Sequence, residues 1–142
     1  MIINKKGFTL IELLIVIAII GLLSTIITVA MGNARLKARD SKRMSDLKQL
    51  QTALELYYND RGFYPAGAGV QLGSGNYACL NNTGFNPSGC TGAFMATIPV
   101  DPSNQNYVYD SASSTFTVTA VLEGSVNGLR GTVRLTPSGI SE

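Results

Sequence analysis

The sequence predicts an α+β chain: one long N-terminal helix, apolar in its first half and amphipathic in its second, packed on a small antiparallel sheet. Three observations predict it. No proline interrupts the stretch from Phe8 to Tyr64, where an apolar run gives way to helical periodicity. Residues 66–106 are rich in Gly, Ser, Asn and Pro and carry little periodicity, so they read as a long surface loop. Beyond them, apolar and polar residues alternate over short runs, as half-buried strands do.

The helix comes first. From Leu13 to Ala34 there are 22 residues without a charge, ~33 Å as a helix and enough for a bilayer core. Glu12 is the sole charge between Lys6 and Arg35. A carboxylate in hydrocarbon costs roughly 2.5–3.5 kcal/mol on insertion scales, so it usually has a partner or a job. A secretory signal peptide would explain Lys5, Lys6 and an apolar core. Yet apolar character resumes past Ser24-Thr25 through Ile26, Ile27, Val29, Ala30 and Met31, and an acid opens the core, both against that reading. An ordinary single-pass anchor accommodates Glu12 by snorkelling, and an acid in the first turn suits the helix dipole. It does not account for Lys5-Lys6-Gly7.

Met44, Leu47, Leu50, Leu54 and Tyr57 carry the helix onward at spacings of three and four. One helix from about Thr9 to Tyr58 would be ~75 Å long. Gly21 and Gly32 are its weak points. Asn59-Asp60-Arg61-Gly62 supplies the stop, and the residue before Pro65 is biased towards extended backbone. In the last third, Asn106-Tyr107-Val108-Tyr109 predicts a strand ended by Asp110-Ser111. Phe116, Val118, Ala120 and Leu122 alternate with Thr115, Thr117 and Thr119 in a second. Asn127-Gly128 marks a turn, and Thr132–Thr136 gives a third strand stopped by Pro137.

Lys5-Lys6 followed by Gly7-Phe8-Thr9-Leu10-Ile11-Glu12 resembles the class III signal of type IV pilins and type II secretion pseudopilins. The likeness covers residues 5–23. Leu54-Glu55-Leu56-Tyr57-Tyr58 through Phe63-Tyr64-Pro65 is similar to the helix end of pseudopilins and minor pilins, and extends it to about residue 65. The resemblance implies a pilin-like fold, removal of a leader (residues 1–7) by prepilin peptidase between Gly7 and Phe8, and N-methylation of Phe8. It implies that Glu12 neutralises the N-terminal amine of a neighbouring subunit during assembly; pairing with its own Phe8 amine is the alternative. Opposite charges in a low-dielectric core are costly apart and compensated together.

The expected organisation is then a leader (1–7), a membrane and filament-core helix (8–34), its amphipathic continuation (35–58) and an α+β head (59–142). The function implied is a structural subunit of a type IV pilus or related filament, serving adhesion, motility or DNA uptake. The alternatives are a type II secretion pseudopilin and a membrane-anchored binding module that never polymerises. The implied partners are other pilins, the peptidase, an inner-membrane assembly platform and, before assembly, membrane lipids. The subunit would start as a single-pass inner-membrane protein and end in an extracellular pilus or a periplasmic pseudopilus.

Charge is segregated along the chain. Arg35, Lys37, Arg39, Lys42 and Arg43 face one acid, Asp40, while Met44–Glu142 holds four basic and seven acidic residues. The basic stretch reads as a solvated stem meeting anionic headgroups. As a nucleic-acid patch it lacks interleaved aromatics and precedes an acidic head, so no nucleic-acid partner is expected for the head. Counting Lys and Arg alone, the stretch outweighs Lys5 and Lys6, which favours an orientation opposite to the implied cytoplasmic N-terminus.

Cys79 and Cys90, on the side the resemblance exports, are expected to form a disulfide clamping the loop, worth roughly 2–3 kcal/mol. Metal binding or redox chemistry has no His and no second cysteine pair to support it. The acids Asp60, Asp101, Asp110 and Glu123 are scattered, and no nucleophile motif accompanies the abundant Ser and Thr, so the chain is not expected to be an enzyme. No cofactor is expected. Some secretion pseudopilins bind calcium, and Asp101 and Asp110 are the candidate ligands, although Ile98-Pro99-Val100-Asp101-Pro102 reads equally well as a rigid turn.

Overall fold

The computed structural model describes residues 7–142, so residues 1–6 of the expected leader (1–7) lie outside the described residues. One helix, α1 (Leu10–Arg61), is followed by seven short strands: β1 (Val70–Gln71), β2 (Cys79–Asn81), β3 (Gly84–Asn86), β4 (Val108–Ala112), β5 (Thr115–Val126), β6 (Leu129–Thr136) and β7 (Gly139–Ser141). The chain divides into two units at Arg35 and Leu36.

The first unit is helix alone beyond Thr9. It is long and apolar enough to cross a membrane and buries nothing within the chain. Phe8, Leu10, Ile11, Leu13 and Ile17 are all more than half exposed. Its hydroxyls are satisfied internally: Ser24 Oγ donates to the Ile20 carbonyl at 2.7 Å, Thr25 Oγ1 to Leu22 at 2.8 Å and Thr28 Oγ1 to Ser24 at 2.8 Å. Back-bonded hydroxyls of this kind leave no unpaired polar group to face hydrocarbon. The helix runs through Gly21 and Gly32 without interruption.

The second unit is the head. Met44, Leu47, Leu50, Leu54 and Tyr57, the predicted apolar stripe, are all buried, together with Ala53. Leu47, Leu50, Ala53, Leu54 and Tyr57 pack in one core with Phe116, Val118, Ala120 and Leu122 of β5 and Val133 and Leu135 of β6. Four side chains from one face of β5 reach the helix because strand residues two apart share a face. The sheet is antiparallel in the order β1-β4-β5-β6-β7, with β2 and β3 in a separate hairpin. Asn127 (φ 53°) and Gly128 (φ 86°) form the tight turn between β5 and β6, both left-handed as a two-residue hairpin demands.

The helix ends three residues beyond Tyr58. Gly62 takes φ 77° and donates its N–H to the Tyr58 carbonyl at 2.7 Å, a glycine-terminated stop. The strand expected to end at Asp110-Ser111 instead includes them, paired with Thr117 and Phe116. Ser111 belongs there because its hydroxyl and N–H bond back to the Pro65 and Gly67 carbonyls. β6 ends at Thr136, before Pro137 as expected; the chain turns there and returns as β7 beside β6. The long loop is held by three apolar anchors, Leu72, Leu80 and Ile98, each sunk into the core.

Candidate assembly site

Two groups of side chains carry the chemistry, each built within its own unit. In the first, Gly7, Phe8 and Thr9 precede the helix as non-helical, exposed chain, and Phe8 is 81% exposed. Thr9 and Glu12 form a reciprocal capping box. Glu12 Oε2 accepts the Thr9 N–H at 2.9 Å and the Thr9 hydroxyl at 2.6 Å, while the Glu12 N–H donates to Thr9 Oγ1 at 3.3 Å. The local partner of Glu12 is therefore Thr9, not Phe8, whose nitrogen in the uncut chain is an amide. Oε1 has no hydrogen bond among the described residues.

The second group centres on Arg43, fully buried on the first turns of the head's helix. Its guanidinium grips Asp101 with two hydrogen bonds, Nε to Oδ2 at 2.6 Å and Nη2 to Oδ1 at 3.1 Å. Nη1 donates to Asp40 at 2.6 Å, and Nη2 also reaches Ser103 Oγ at 2.5 Å and Glu123 Oε1 at 2.7 Å. Arg39 forks onto the same Glu123, and Lys42 pairs with buried Asp46 at 3.0 Å. Asp46 accepts the Tyr107 hydroxyl as well, at 2.9 Å.

Strand β5 is shaped for this. Its register against β6 shifts between Val121 and Ser125, and in that bulge the N–H groups of Glu123 and Gly124 donate to Asp40 at 3.0 and 2.7 Å. Every buried side-chain polar atom among the described residues has a partner. Asp101 and the two bulge amides thus tie the loop after Ile98 and one end of the sheet to a single turn of helix.

The electrostatics follow from the contacts. Hydrogen bonding to Asp101 raises the Arg43 guanidinium further, against burial, with Glu123 and Asp40 adding to it. Burial pushes Asp101 up, but Arg43 and the N–H groups of Ser103 and Gln105 outweigh it and hold the carboxyl well below its ordinary range. Arg39 and then Arg43 draw Glu123 down to about 2.

This arrangement corrects the solvated-stem expectation. Arg39, Lys42 and Arg43 are spent on acids of the head, and Arg35 and Lys37 remain exposed. It also removes a calcium ligand: Asp101 is occupied by a guanidinium, while Asp110 accepts the Gly69 N–H at 2.7 Å, so the two acids serve different partners. No group of three or more metal-ligating side chains occurs among the described residues. Cys79 and Cys90 are joined, Cα to Cα 6.2 Å, clamping the β2–β3 hairpin to the segment that follows it.

The sequence relations match this geometry. Residues 2–28 match the family described as "Prokaryotic N-terminal methylation motif", and residues 30–133 match "Type II secretion system (T2SS), protein G". The second match covers the head's helix, loop and most of its sheet. The chain belongs to the type II secretion system protein G family. Within it, the type II secretion system core protein G of Aeromonas hydrophila is 30% identical over 107 residues, covering 73% of this chain and 71% of the relative. The fimbrial protein EcpC of Eikenella corrodens is 30% identical over 128 residues, covering 90% and 75%. The core protein G of Escherichia coli is 37% identical over 62 residues, covering 44% of this chain. The chain spans about two fifths of that relative (43%) and of its Pectobacterium carotovorum counterpart (40%). No solved structure matches the chain.

Sequence reasoning singled out Gly7, Phe8 and Glu12 for this G-family chain and missed Arg43. The signal for Arg43 was present in the charge segregation: a basic helical turn and an acidic remainder, each incomplete without the other.

Proposed function

We propose that this chain is a non-catalytic structural subunit of a filament of the pilin and pseudopilin type, assembled through its N-terminal helix. The single observation that carries the proposal is the fully exposed apolar helix opening on the Thr9–Glu12 box. An apolar surface of that length needs lipid before assembly and neighbouring helices after it. Prepilin peptidase would cut between Gly7 and Phe8, where the chain is non-helical and exposed, and the new Phe8 amine would be methylated.

Glu12 would then offer Oε1 to the amine of a neighbouring subunit while Oε2 keeps its bonds to Thr9. One carboxylate would serve both the helix cap and the axial register. The N-terminus would lie in the cytoplasm; Arg39, Lys42 and Arg43 pair with acids of the head, which leaves Arg35 and Lys37 as the exposed basic residues beside the apolar helix. The head is placed outside, where the Cys79–Cys90 bond is stable. Inner-membrane lipid, the peptidase and an assembly platform are the partners on this route.

The match to protein G supports a secretion pseudopilus. The fimbrial relative, matched over 90% of this chain, supports a surface pilus. Both use the same N-terminal chemistry. Glu12→Ala tests the filament role: the variant should be processed normally, read by mass spectrometry of the mature N-terminus, and fail to enter fibres. Full incorporation would remove the register role and leave a membrane-tethered binding module.

A further inference from the structure

Where the helix ends, the head encloses a concavity of about 380 Å³ that filament assembly does not explain. The helix supplies Tyr57 and Arg61, the segment after it Phe63, a single 3₁₀ turn (Gly75–Tyr77) Asn76 and Tyr77, and β3 Phe85. The rings form a wall of edge-to-face pairs: Tyr57 with Phe63 at 6.0 Å and 78°, Tyr77 with Phe85 at 5.5 Å and 61°.

Tyr57 is only 3% exposed, yet its hydroxyl has no hydrogen-bond partner among the described residues. No buried side-chain oxygen is left unsatisfied, so this hydroxyl opens into the concavity. Beside it is Gly84, where a Cβ would stand 3.9 Å from Tyr57 Oη, so the wall there is bare backbone. The Asn76 amide and the Arg61 guanidinium likewise make no hydrogen bond or ion pair among the described residues, and Arg61 is the one charged residue in the lining.

We propose that this concavity binds a carboxylated sugar, the uronate unit of an acidic polysaccharide. Aromatic rings take the C–H face of a pyranose, the unpartnered Asn76 amide and Tyr57 hydroxyl match its hydroxyl groups, and Arg61 forks onto the carboxylate. The competing ligands fit less well. An apolar ligand covers Arg61, Asn76 and the Tyr57 hydroxyl without pairing any of them. A neutral sugar leaves Arg61 unmatched. A nucleic-acid strand needs a train of phosphates and several cations to meet it, and one guanidinium does not supply them.

The test uses the full chain in nanodiscs, with isotope-labelled tyrosine rings observed by NMR during titration with glucuronate, glucose and adenosine monophosphate. Glucuronate should shift the Tyr57 and Tyr77 resonances and bind at least tenfold more tightly than glucose. Arg61→Gln, at an exposed position with unchanged far-UV dichroism, should abolish that difference and leave glucose binding as it was. Asn76→Ala should weaken both sugars. Equal binding of the two sugars, no shift at Tyr57 and Tyr77 at saturating glucuronate, or tighter binding of the nucleotide would overturn the proposal. None of these outcomes depends on whether the chain polymerises.

Discussion

Arg43 shows how much one side chain can organise. A lone guanidinium buried in a head this small is tolerable only because three carboxylates and a hydroxyl surround it. Removing it strands Asp40 and Asp101 as buried anions, and breaking a buried pair from one side typically costs about 3–5 kcal/mol. Arg43→Met should therefore lower the thermal midpoint of the head by more than ~10 °C, followed by far-UV dichroism in detergent. Arg43→Lys should recover only part of the loss, since an ammonium cannot fork onto Asp101 while reaching Asp40 and Glu123. Full recovery by lysine would mean that charge alone matters.

The same cluster sets the response to acid. Asp101 and Glu123 titrate below their ordinary values of 3.8 and 4.5. As pH falls, the unfolded chain takes up these protons first, so acid favours unfolding. The contribution is complete above about pH 4.5 and is lost as pH falls towards 2, where Glu123 titrates. Denaturant midpoints should be level from pH 5 to 8 and drop steeply below 4. In Arg43→Met that slope should flatten; an unchanged slope would place the acid response elsewhere.

At the scale of elements, legibility followed the size of the buried face. The helix and β5 show their periods over enough residues to be read directly, and the structure buries the stripe the spacing names. The elements of two or three residues left no period to find: β1 is fixed by its pairing with β4, far along the chain, and β2 and β3 by a hairpin only three residues wide. Pro137 stops β6 because proline cannot donate to a ladder, and its place in the turn costs the sheet no bond; the return strand β7, three residues long, left no signal of its own. The loop depends on its cross-link and its anchors together. Replacing Cys79 and Cys90 by serine should cost roughly 2–3 kcal/mol and raise hydrogen exchange in the β2–β3 hairpin. The exchange of the β5–β6 ladder should hardly change. Equal loss of protection in both would show the loop to be one cooperative unit with the sheet.

For the whole molecule, charge and apolar surface divide the labour. The head gathers one cluster of charges and pairs them with one another, and the first unit exposes apolar side chains along its length. Gly7, Phe8 and Glu12 stand out in the sequence as candidates because a glycine, an aromatic residue and a carboxylate fall in fixed register within a few residues. The Arg43 cluster was not, because its members are separated by up to 84 positions and meet only after the sheet has formed. The same distance effect hid the aromatic concavity beside Tyr57. A subunit built this way should be extractable from membranes only with detergent, and its head should stay folded there without added divalent cation. Unfolding of the head by a chelator would show that a site beyond Asp101 and Asp110 holds a metal.

The proposed filament role requires the exposed helix to become the core of a fibre. Immunoelectron microscopy of producing cells, with antibody raised against the head, measures this most directly when the wild-type chain is compared with Glu12→Ala at matched levels of mature protein. The wild type should show label along fibres and the variant label confined to the membrane. Label confined to the membrane in both would contradict that role.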